Sequence, residues 1–107
     1  MSTNSTSVFK LTDDIAYSEG SVVSKQIIKK STGNVTLFAF DAGEGLSEHT
    51  APFDALVHVI DGEAEVVIGG KSNIVGTDSA ILMPANIPHA LKANKRFKMI
   101  LTMIKDK

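Results

Sequence analysis

The sequence predicts an all-β single domain, a sandwich or barrel of about eight short strands. Three observations predict it. Apolar, β-branched runs recur with turn signals about every eight to twelve residues. Glycine and proline punctuate those runs rather than interrupt them. The chain has 107 residues and is 43% hydrophobic, which suffices for one core and one domain.

Each element follows from its residues. Met1 to Ser7 is polar and reads as a disordered lead-in, so the domain is placed at residues 8–107. Residues 13–19 suit a loop or one helical turn. Residues 22–28 and 35–40 are strands, and the second is β-branched and aromatic. Residues 41–45 favour a turn. Residues 55–60 are the next apolar run, and Asp61-Gly62 then predicts a tight hairpin into a return strand at 64–68. Gly69-Gly70 predicts another hairpin into 71–75. Gly76-Thr77-Asp78 turns the chain into a strand at 79–83. Pro84 and Pro88 bracket a loop, because each lacks a ladder donor and fixes φ. Residues 90–92 form a short strand. Residues 97–104 carry helix-favouring Met, Leu and Lys, but they close a β meander and are read as the last strand.

Composition excludes several functions. There is no cysteine, so disulfides, zinc thiolates and a cysteine nucleophile are ruled out. The net charge of −1 gives no broad footprint for nucleic acid, and Lys95, Arg96 and Lys98 read as a solvated strand end. No apolar run is long enough to span a bilayer as a helix, so no membrane partner is expected. The N-terminus has no basic or apolar signal region, and a cytoplasmic location is the expectation. No phosphate-binding glycine loop or nucleophile elbow occurs.

Two histidine motifs carry the remaining chemistry. One runs Gly45-Leu46-Ser47-Glu48-His49-Thr50-Ala51-Pro52-Phe53-Asp54-Ala55 and continues to Gly62-Glu63. The other is Pro84-Ala85-Asn86-Ile87-Pro88-His89. Each puts one imidazole at the mouth of a strand. The order of His49, Pro52-Phe53, Asp61-Gly62-Glu63, Gly69-Gly70, Gly76-Thr77-Asp78 and Pro84 to His89 resembles a small single-domain cupin over residues 33–104. The resemblance implies a double-sheet jelly roll, the double-stranded β-helix barrel. It also implies a homodimer, since members of the family often pair by strand exchange or sheet packing.

The resemblance implies a metal site as well, but the match is incomplete. His49 stands at the first motif's first histidine and Gly62 at its closing glycine. Ala51 and Ala55 stand where a second histidine and a glutamate are usual. His89 matches the second motif, with Asn86 in place of a glycine; Asn enters the left-handed region more readily than most residues. His49 and His89 are therefore the candidate ligands for a divalent ion (Zn, Fe, Ni, Mn or Cu), with Asp54, Glu48 or His58 as a third. If Ala55 points inward, strand alternation turns Asp54 and His58 outward. Phe38, Phe40, Ala51, Ala55, Val57, Met83, Leu91, Met99 and Met103 are the candidate pocket walls. Three functions stay open: a small-molecule-binding module, a metal-dependent dioxygenase, isomerase or lyase, and a structural or partner-binding protein with a vestigial site.

Overall fold

The computed structural model describes residues 7–105, so most of the expected lead-in lies outside the described residues. A 3-10 turn at Leu11–Asp13 precedes eight strands: β1 (Val22–Lys30), β2 (Gly33–Phe40), β3 (Gly45–His49), β4 (Asp54–Ile68), β5 (Lys71–Gly76), β6 (Ala80–Met83), β7 (His89–Lys92) and β8 (Phe97–Ile104). All pairs are antiparallel. The segments expected to be strands are in strands, including the last, which is not a helix, although two of them fall within the single strand β4.

Two sheets share β4 and close on each other. The larger runs β1-β2-β8-β4-β6, and the smaller runs β3-β7-β4-β5. The first half of β4 pairs with β8 and β6; from Glu63 onward it pairs with β5 and β7.

This corrects the hairpin expected at Asp61-Gly62, and residues 64–68 are a continuation rather than a return strand. The strand bulges between Val59 and Asp61 and bends from one sheet into the other. Gly62 takes φ +83 there, and a Cβ on it would sit 2.2 Å from the Arg96 carbonyl oxygen. The same glycine signal that suggests a turn thus serves a bend and a close approach. β3 was not among the expected strands. Gly45, Ser47 and Glu48 disfavour strand by propensity, and only pairing with β7 makes it one.

The main core lies between the sheets and contains Phe40, Val57, Val59, Val66, Leu91, Phe97 and Met99. Phe40 and Phe97 stack with centroids 4.5 Å apart at the bend. Leu37 and Ala39 point the other way, under Ile15 and Tyr17 of the N-terminal segment. The second half of β2, Leu37 to Phe40, is covered on both faces, which is why it reads as an unbroken apolar run.

A polar clamp fastens that N-terminal segment. The Tyr17 hydroxyl donates to Asp61 Oδ2 at 2.6 Å, while Arg96 and Lys98 lie 5.0 and 4.9 Å from the Tyr17 ring centroid. Arg96 Nε donates to Asp41 Oδ1 at 2.8 Å, and the Gly20 N–H donates to Asp41 Oδ2 at 2.7 Å. The basic cluster near residue 96 is thus largely engaged within the fold.

The guanidinium of Arg96, helped by the Gly20 and Ala42 amides, pulls the Asp41 carboxyl from 3.8 down to about 2. A depressed carboxyl stabilises the fold fully above its ordinary value and loses that contribution as pH falls toward the folded value. Thermal unfolding between pH 5 and pH 2 is therefore expected to fall more steeply for the native chain than for Asp41→Asn. Parallel curves would refute this role. Burial, then the Asp61 carboxylate, push the Tyr17 phenol up, so its contribution holds below its ordinary value of 10 and fades only above it.

Candidate functional site

His49 ends β3 and His89 begins β7, and the two are directly opposed across that strand pair. Their rings meet edge to face with centroids 4.4 Å apart. Strand β3 carries one extra residue between Leu46 and His49, and this bulge lets two residues three apart face the same space. His89 is buried, and His49 is exposed at the rim.

The loop before His89 is pinned from two sides. Asp54 Oδ1 accepts the Ala85 N–H at 2.8 Å, and the Asn86 N–H donates to the Ala51 carbonyl at 2.7 Å. Asn86 adopts φ +66, the left-handed conformation expected of it. Asp54 thus braces the strand entry. The Ile87 carbonyl, set by this loop, lies 3.2 Å from His89 Nδ1. The Ser47 carbonyl lies 2.7 Å from His49 Nδ1.

The two imidazoles border a cavity of about 150 Å³. Leu46 and His49 come from β3, Ala51 and Phe53 from the loop that follows, Ala55 from β4, and Met83 from β6. His89 and Leu91 come from β7, and Met99, Leu101 and Met103 from β8. Position 55 pairs with Met83 on one side and Met103 on the other, so both thioethers flank its methyl group. The histidines are the only polar side chains in this lining.

Eight of the eleven expected pocket residues lie here: His49, His89, Ala51, Ala55, Met83, Leu91, Met99 and Met103. Three do not. Val57 lies two residues deeper along β4, about 7 Å in, and is sealed within the core. Phe40 is fully buried in its stack with Phe97 at the far bend. Phe38 tilts against Phe40 with centroids 5.9 Å apart and packs into the same core. Leu46, Phe53 and Leu101 were not expected. Alternation does mark Leu101, which lies between Met99 and Met103 on one face; the bulge hides Leu46.

The donor set does not fit a resident divalent metal. Such ions take three or four protein ligands, or fewer with carboxylate and water. Here there are two imidazoles, and among the described residues no group of three His, Asp or Glu is placed to hold an ion. His58 is on the outer face of the larger sheet, opposite Ala80 and Ile100, and Glu48 is exposed. Positions 51 and 55 offer methyl groups only.

The family model described as "Cupin domain" matches residues 36–105. The chain is a cupin. Solved structures agree with this and with the jelly roll. The cupin aligns with a conserved protein of unknown function from Streptococcus pyogenes at a TM-score of 0.92 and 31% identity, covering 96% of this chain and 90% of that one. A cupin superfamily protein from Desulfitobacterium hafniense aligns at a TM-score of 0.90 and 25% identity, covering 95% and 94%. A "Cupin 2 conserved barrel domain protein" from Leptotrichia buccalis is 42% identical with a TM-score of 0.88; the match covers 91% of this cupin and 47% of that chain, about half its length. No curated protein sequence matches. Among the described residues, no helix is long and apolar enough to cross a membrane.

Proposed function

We propose that this cupin binds a small organic molecule in the pocket beside His49 and His89. The observation that carries the reading is the composition of the lining. Nine apolar side chains surround about 150 Å³, and two imidazoles are the only polar groups. Small-molecule sites are mostly apolar with a few polar groups that fix orientation. In the family's motif Ala51 and Ala55 take the place of two ligands, which leaves volume in place of charge.

The reading favours organic ligands over a metal cofactor. Untagged protein is expected to carry well under one equivalent of zinc, iron, nickel, manganese or copper by elemental analysis. The His49→Ala/His89→Ala variant is expected to match it. Near-stoichiometric metal that disappears in the variant would return the site to a metal-dependent enzyme.

We further propose a homodimer formed through the outer face of the larger sheet. One cross-strand row on that face reads Leu82, Leu56, Thr102, Val35, Ile28. It crosses five strands, about 19 Å. Leu82, Leu56 and Ile28 are each about half exposed. The row carries no charge, so a two-fold axis can set it against its own copy without like-charge contact. Light scattering at micromolar concentration is expected to give twice the chain mass, and Leu56→Lys/Leu82→Lys the single mass. A native monomer throughout would refute the pairing.

A further inference from the structure

The two Nδ1 contacts define what the pocket asks of its ligand. A carbonyl oxygen can only accept a hydrogen bond, so Nδ1 of His49, 2.7 Å from the Ser47 oxygen, must carry the hydrogen. The same holds for Nδ1 of His89, 3.2 Å from the Ile87 oxygen. A neutral imidazole fixed in this way has its lone pair on Nε2. Both imidazoles line the cavity and every other lining side chain is apolar, so an Nε2 lone pair is the acceptor that its side chains can offer a ligand.

Four ligand classes meet this site differently. A carboxylate would set acceptor against acceptor and lose its hydration without replacement. An ammonium would find acceptors but no counter-charge in the lining, and desolvating it is costly. A plain hydrocarbon would fill the space and give the buried His89 ring no donor in place of water. A neutral hydroxyl compound fills the space and donates to a nitrogen. The volume sets the size, because apolar cavities of about 150 Å³ accommodate a benzene ring.

We infer that the pocket selects a neutral, ring-sized hydroxyl compound, of which phenol is the simplest probe, with its O–H donated to Nε2 of His89 or His49. This rests on the pocket being a ligand site, as proposed above.

The test is calorimetric titration at pH 8 with phenol, benzene and benzoate. Phenol is expected to bind about tenfold tighter than benzene, and benzoate more weakly than either. In His89→Leu/His49→Leu the phenol advantage is expected to shrink to within about twofold, since leucine keeps the bulk and removes the acceptor. Equal affinity for phenol and benzene, or tightest binding of benzoate, would overturn the inference while leaving the pocket reading intact. Failure of all three to bind would sink both. Nitrogen-15 spectra of the unliganded native protein give an independent readout of the rings. Both should show hydrogen on Nδ1; hydrogen on Nε2 of both would overturn the inference regardless of how the variants fold.

Discussion

Gly62→Ala is expected to destabilise the protein by about 3–5 kcal/mol, lowering Tm by roughly 15 °C or more or preventing soluble expression. Two costs combine. The residue holds φ +83, which an L-residue adopts at a cost of about 1–2 kcal/mol. Its Cβ would also lie 2.2 Å from the Arg96 carbonyl oxygen and 3.0 Å from the Phe97 Cα, so β8 must move. That displacement falls beside the stacked Phe40 and Phe97, both fully buried. Gly70→Ala is the control. Gly70 has the same φ of +83, but nothing lies within 4 Å of its added Cβ. It should cost only the backbone term, about 1–2 kcal/mol. Equal losses at the two sites, measured by denaturant unfolding, would show that the close approach at the bend contributes nothing.

Ala55→Leu is expected to abolish ligand binding, a loss of at least a hundredfold, while leaving the fold in place. Position 55 faces the cavity between Met83 and Met103, and leucine adds three carbons to that space. Filling apolar volume gains about 0.8 kcal/mol per buried methylene, and crowding costs about 1–3 kcal/mol. The two nearly offset, so stability should change by no more than about 1.5 kcal/mol. Loss of binding without loss of fold separates a pocket from a merely loose core.

The sequence made the sandwich legible because alternation and turn residues agree along most of the chain. Ala55, Val57 and Val59 point inward, and Asp54, Leu56 and His58 point outward, as a period of two requires. The order of motifs brought His49 and His89 together across forty residues. What stayed illegible depends on tertiary pairing. Gly62 looks identical in a hairpin and in a bend, and only the partners of β4 distinguish them. The bulge in β3 breaks alternation, which concealed Leu46. Phe38 and Phe40 share a face with the pocket walls, but depth along the barrel is not written in periodicity. The engagement of Arg96 with Asp41 joins residues 55 apart and has no local signal.

Binding of a small organic molecule in the cavity beside the two histidines has a direct thermal signature. Thermal unfolding of the native protein and Ala55→Leu across a panel of neutral ring-sized alcohols and phenols tests it most directly, because a ligand that binds only the folded state must raise Tm. Phenol-sized compounds are expected to raise Tm of the native protein by several degrees at millimolar concentration and to leave Ala55→Leu unmoved. No rise in the native protein, or an equal rise in both, would contradict it.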